Sequence, residues 1–280
     1  MKRKEFLNMT APALLLMGSG QWLFGREAMD HSLNRRKRIA RFVVASDGHF
    51  GQPNTPYQEY FQTFTDRVNE VHGKDPIDFA VINGDLFHDN KKFLPEVKAA
   101  LDRLTPRYYV SQGNHDNCSG EEWEKTWNMP LNFSFSRKRV AYLVASTSNE
   151  KGTYLCPDLT WMEKELEKHK KADHIFIFIH INPGKLTRHA VDCPGFFTLL
   201  KKYPAVRCVF NGHDHDEEGI KKREDISFVF DAHIGGNWGT AYRGFRMVEL
   251  YQDGSILTYI LDPVNKINEI SIPYFQNKHS

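Results

Sequence analysis

Five short apolar runs in this chain each break off into a group of aspartate, histidine or asparagine, in most cases beside glycine. That repeated stop constrains the fold more than any other feature of the sequence. Ile39 to Ala45 ends at Ser46-Asp47-Gly48-His49, and Phe79-Ala80-Val81-Ile82 ends at Asn83-Gly84-Asp85. Tyr108-Tyr109-Val110 leads to Gly113-Asn114-His115-Asp116, Ile175 to Ile179 delivers His180, and Val206 to Phe210 delivers Gly212-His213-Asp214-His215. Short β-branched and aromatic runs bounded by turn residues read as strands, and continuous apolarity marks strands buried on both faces. In open α/β sheets ligands gather beyond the carboxyl ends of the strands, so these sequence-distant clusters are expected to share one rim.

The stretches between them read as helices and further strands. Tyr57 to His72 carries Tyr60, Phe61, Phe64, Val68 and Val71 at helical spacing. Pro95 to Leu104 predicts a helix with proline in its first turn, where no N–H is needed. Asp158 caps a helix running to about Lys171. Ala141 to Val144, Phe228 to Asp231, Phe245 to Leu250 and Ile256 to Leu261 read as strands. No internal repeat, low-complexity tract or interior linker interrupts the pattern, which gives one domain over 39–262 followed by a C-terminal tail, 263–280.

Composition closes off several classes. A net charge of +2 with acids and bases interspersed offers neither a nucleic-acid footprint nor a polybasic membrane patch. Cys118, Cys156, Cys193 and Cys208 contain no C-x-x-C pair, so a zinc ribbon is not indicated; they read as buried or free thiols, with disulfides permitted. Residues 1–30 differ from the rest. Lys2-Arg3-Lys4 precedes an apolar run from Ala11 to Met17 and the small residues Gly18-Ser19-Gly20, the pattern of an export signal. That run is too short to span a bilayer. The expected location is therefore periplasmic or secreted, with an uncleaved N-terminal arm on a cytoplasmic protein as the alternative.

Asp47-x-His49, Gly84-Asp85, Gly113-Asn114-His115-Asp116, His180 and Gly212-His213-x-His215 together resemble, in order, the signature blocks of the calcineurin-like metallophosphoesterase superfamily. The resemblance covers Ile39 to Leu261. It implies an α/β fold of two mixed β-sheets packed as a sandwich with flanking helices, a four-layer αββα arrangement. It also implies that Asp47, His49 and His215 hold a first metal, that Asp85 bridges both, and that Asn114, His180 and His213 complete the second. His115 would face the substrate as the catalytic group, with Asp116 behind it fixing its tautomer. The second block departs from the family pattern: His88 stands where Asp or Asn is usual, either orienting a ligand or serving as an extra one.

The chemistry of the same residues agrees. Imidazole with carboxylate and amide oxygen suits two divalent or mixed-valence transition-metal ions (Mn, Fe, Zn, Ni or Co) better than Mg or Ca. A bridging carboxylate holds such ions roughly 3.5–4 Å apart, the spacing that clamps the attacking and leaving oxygens of an in-line displacement. With few carboxylates among the ligands the site stays cationic and favours a phosphate. The expected function is hydrolysis of a small phosphodiester or phosphomonoester by a metal-bridging hydroxide at a dinuclear site; the alternative is a non-catalytic metal-binding module on the same fold. Gly84, Gly113 and Gly212 sit where positive φ or close backbone approach is often needed. Candidate pocket walls are Gln52 to Tyr57, Cys118 to Pro130 with Trp123 and Trp127, Pro183 to Phe197, and Gly235 to Gly239. Trp238, in the last of these, reads either as a stacking wall or as packing over the sheet edge. His72, His169, His174 and His279 read as surface residues. Oligomeric state is not legible in the sequence.

Overall fold

A computed structural model describes residues 37–273. The export-signal segment 1–30 and the last residues of the expected tail, 274–280, lie outside them. In chain order the elements begin β1 (Arg38–Ala45), α1 (Tyr57–Lys74), β2 (Phe79–Asn83), α2 (Leu94–Leu101), β3 (Tyr108–Ser111) and α3 (Gly120–Trp127). Then come β4 (Phe133–Arg137), β5 (Val140–Ala145), α4 (Leu159–Lys168), β6 (His174–Ile179) and α5 (Pro194–Leu200). The chain closes with β7 (Val206–Asn211), β8 (Gly219–Arg223), β9 (Ile226–Phe230), β10 (Phe245–Tyr251), β11 (Ile256–Leu261) and β12 (Lys266–Ile272).

The strands form two six-stranded mixed sheets, ordered β12-β11-β10-β1-β2-β3 and β4-β5-β6-β7-β9-β8. β1, β2 and β3 run parallel, as do β5, β6, β7 and β9, so their carboxyl ends face one way within each sheet. Alternation along β1 explains the layers. Phe42 and Val44 point into a core shared by the two sheets, while Val43 and Ala45 point to the helices α1, α2 and α3 on the outer face. The Phe42 ring stacks on Phe79 at 5.1 Å and meets Tyr142, Phe176, Phe178 and Phe210 of the opposing sheet edge-on. A third core seats α4 and α5 on the far face of the second sheet. The result is the four-layer αββα sandwich.

Local signals set the helix ends. Asp158 accepts from the Trp161 amide at 3.0 Å as the N-cap of α4, which stops at Lys168 rather than near Lys171. α2 stops at Leu101, short of Leu104, because Pro106 keeps Thr105 out of helical geometry and the intervening residues turn. α3 starts at a capping box, Ser119 with Glu122, an S-x-x-E signal readable in the sequence that the helical reading passed over. The segment after residue 262 is not all tail: β12 pairs antiparallel with β11 and forms a sheet edge. Cys156 and Cys193 are bonded to each other with Cα atoms 5.8 Å apart, whereas Cys118 and Cys208 are buried thiols. His174 is buried at the start of β6 rather than lying on the surface, and its Nδ1 accepts from Arg207 at 3.1 Å. No helix among the described residues is long and apolar enough to cross a membrane.

Candidate metal centre

All five polar clusters arrive at the same rim, because each follows a strand of the parallel runs. Asp47 and His49 follow β1, Asp85 follows β2, Asn114 and His115 follow β3, His180 follows β6, and His213 and His215 follow β7. Asn83 locks the two sheets together there. Its amide donates to the carbonyls of Ile179 at 3.2 Å and Phe210 at 3.1 Å across the sandwich, and its oxygen accepts from Ser111. Five of the twelve non-glycine residues with positive φ among those described lie here: Asp47, His49, Asp85, Asp89 and His213, with φ between 46° and 70°. For non-glycine residues that left-handed conformation is uncommon and persists where the surroundings over-determine it. Gly84, with φ of 90°, lets the backbone pass His180; a Cβ there would lie 2.4 Å from its ring.

Among the described residues three triads have ligand atoms within 4.8 Å of one another: two carry a carboxylate, Asp47 with His49 and His215 and Asp85 with His180 and His213, and the third is His49, His88 and His115. Asp47 Oδ1 is 3.1 Å from His215 Nε2 and 3.8 Å from His180 Nε2, while Asp85 Oδ2 is 3.2 Å from His180 Nε2 and 3.7 Å from His49 Nε2. The second oxygen of Asp85 takes the His115 amide at 2.8 Å, and Asp47 takes the amide of His213. The carbonyl partners fix the ring orientations. His180 Nδ1 donates to Asn83 at 2.7 Å and His215 Nδ1 donates to Trp238 at 3.2 Å, which turns each Nε2 lone pair inward.

The electrostatics demand positive charge. Asp47 and Asp85 are buried, and burial works against ionisation, yet neighbouring histidines hold both carboxyls below their usual range. Burial alone would favour neutral His180, but Asp85 and Asp47 drive it up to about 10. Two buried carboxylates facing inward are costly unless a cation balances them. The donor set fits divalent metals in that role. His213 Nε2 and Asn114 Oδ1 are buried without a hydrogen-bond partner, and together with His180 Nε2 and the carboxylates they supply the mixed nitrogen and oxygen donors that transition metals favour.

His115 lies partly exposed beside the carboxylate-bearing triads, and the carboxylate at its ring is not Asp116. Asp89 Oδ1 lies 2.7 Å from His115 Nδ1. Asp116 is buried, its Oδ1 accepting from the Leu86 and Phe87 amides and its Oδ2 from Gly113. It staples the loop after β2 to the loop after β3. Consecutive side chains in a tight turn diverge, which is why adjacency to His115 in sequence misled. Asp89 was missed because it stands one place beyond the usual position of the second block; its left-handed backbone, φ 59°, folds it back. His88, in that usual position, contacts the outer nitrogen of His49, Nδ1 to Nδ1 at 3.1 Å, and stacks on His115.

The expected walls divide. Trp123 and Trp127 are the buried face of α3 and belong to the core rather than the pocket. Trp238 stands at the mouth, its ring stacked on His215 at 4.3 Å instead of packed over the sheet edge. His233 stacks against the other side of the same cluster, 5.0 Å from His215.

Comparison with known proteins gives the family and the fold. The model of the calcineurin-like phosphoesterase family matches residues 40–217. A 3',5'-cyclic-nucleotide phosphodiesterase of Nostoc sp. is 23% identical over 229 residues, covering 72% of this chain and 82% of the relative. A dimetal phosphatase of Danio rerio superimposes with a TM-score of 0.69 at 15% identity, over 85% of this chain and all (100%) of that one. A calcineurin-like phosphoesterase of Bacillus subtilis gives 0.52 at 14% identity, over 81% and 91% of the two chains.

Proposed function

The chain belongs to the calcineurin-like phosphoesterase family, and we propose that it hydrolyses a small phosphodiester at a centre of two metal ions. The observation that carries this reading is the convergence of both carboxylate-bearing triads on one rim, with His213 Nε2 and Asn114 Oδ1 buried and unpartnered and His180 Nε2 facing the Asp85 carboxylate. Asp47, His49 and His215 would hold one ion, Asn114, His180 and His213 the other, with Asp85 between them. Two such ions would supply an activated water and a clamp for the phosphate oxygens. The protein's own part is positional. Asp85 and Asp47 keep the floor anionic enough to retain cations, and carbonyl-oriented histidines hold their lone pairs toward them. His115, oriented by Asp89, would hydrogen-bond or protonate the departing ester oxygen.

A diester is favoured over a monoester by the Nostoc relative, whose name records a cyclic diester as its substrate. The test is hydrolysis of bis-p-nitrophenyl phosphate against p-nitrophenyl phosphate with Mn²⁺, with and without EDTA, alongside Asp85→Asn. Metal-dependent cleavage of the diester that disappears in the variant is expected. Protein carrying two metals yet cleaving neither compound would support a metal-binding module instead.

Export is the second part of the proposal. The Cys156–Cys193 bond supports it, since such bridges persist in oxidising compartments. Protein recovered outside the cytoplasm should begin between Gly20 and Ala28; recovery in the cytosol with Met1 retained would overturn it.

A further inference from the structure

Large exposed apolar side chains are few among the described residues: Tyr154, Leu155, Trp238 and Val264. Two of them lean on histidines of the candidate centre. Trp238, 42% exposed, lies nearly parallel to His215, the planes 16° apart, and 4.8 Å from His49. His215 covers one face of its indole, and a large part of the side chain stays exposed. Tyr154, 39% exposed, meets His213 edge-on at 4.8 Å. We propose that Trp238 and Tyr154 form a subsite that seats a flat aromatic ester group, aryl or nucleobase-like, on the phosphate bound between them; this rests on the phosphodiesterase reading above.

Both walls are fixed in place rather than draped over the surface. The Trp238 carbonyl takes the Nδ1 proton of His215, and Gly239 follows with φ of 114°. A Cβ at Gly239 would sit 2.5 Å from that of His215, so only glycine lets the loop descend onto the histidine. Tyr154 is tied down locally: it pairs with Ser148, the Leu155 amide donates to Thr147, and Cys156 is bonded to Cys193 just ahead of α5. A rigid aromatic face loses little entropy on binding, and base-on-aromatic stacking strengthens affinity by about 5- to 150-fold. Were Trp238 only a cover for His215, its removal would weaken metal retention without changing which anions bind.

Calorimetry on the Mn²⁺-loaded protein separates these roles without relying on turnover. Phenylphosphonate should bind about 10-fold or more tightly than methylphosphonate. Trp238→Ala and Tyr154→Ala should each erase most of that ratio, while methylphosphonate affinity and Mn²⁺ stoichiometry stay unchanged. Tyr154→Phe should keep the ratio. Trp238→Leu, which still covers His215 but has no aromatic face, should lose it. Equal binding of the two anions by the unaltered protein, or a ratio that survives both alanine variants, would overturn the aromatic subsite alone. Failure of the loaded protein to bind either anion would overturn the phosphodiesterase reading itself.

Discussion

Asp89, not the adjacent Asp116, holds the imidazole of His115, with Oδ1 2.7 Å from Nδ1. The two carboxylates therefore have separable roles. Asp89→Asn should lower kcat by about 10- to 100-fold while two metals remain bound, the loss seen when a group that orients a functional histidine is weakened. Asp116→Ala should instead leave three backbone amides without an acceptor and cost roughly 3 kcal/mol of stability. Steady-state kinetics with metal analysis, and urea unfolding, read the two effects. A stable, slow Asp116→Ala with an unimpaired Asp89→Asn would reverse the assignment.

His88 touches the centre through His49, nitrogen to nitrogen, and through His115, ring on ring. Replacing it with Ala should weaken Mn²⁺ binding by about 10- to 100-fold, because the outer nitrogen of His49 loses the partner that orients its ring. Metal titration by calorimetry checks this. Unchanged affinity in a folded variant would make His88 a bystander.

Acid sensitivity should come partly from His174. Burial, reinforced by the Arg207 cation, lowers its pKa to about 4. The unfolded chain then binds a proton that the native protein refuses between about pH 6.5 and pH 4. This contribution to stability is complete above pH 6.5, falls as pH drops through that window and levels off below it. His174→Gln should flatten the fall in urea midpoint between pH 7 and pH 5. An equally steep fall in the variant would assign the sensitivity elsewhere.

Reduction of Cys156–Cys193 should destabilise the protein. The bridge spans 37 residues of sequence, and releasing a loop of that size costs about 4 kcal/mol in chain-entropy terms. Cys156 is exposed, so a thiol reductant can reach it. The check is the unfolding midpoint with and without dithiothreitol; a Cys156→Ser variant insensitive to reductant controls for effects elsewhere.

Much of this was written in local pattern. Strands buried on both faces announce themselves as unbroken apolar runs, so β1, β2, β6 and β7 were legible together with the aspartates and histidines that follow them. Edge strands were not: β4 and β8 are half-solvated, and β12 alternates weakly, so their pairing with a neighbour, rather than their own composition, makes them strands. α5, a short helix of Pro194–Leu200, was hidden for a similar reason, since it is held by the core beneath it.

At the centre, the sequence by itself determined which residues meet, because residue type and the order of strands dictate that the carboxyl ends share a rim. Only the tertiary structure decided which of them touch. Left-handed backbone at Asp89 brought it to His115 while the turn at Asp116 sent that carboxylate into the core. The bond between Cys156 and Cys193 and the descent of Trp238 onto His215 likewise join segments far apart in the chain. Such pairings depend on φ and ψ at single residues and on loop paths, which residue identity constrains too weakly for the sequence to specify.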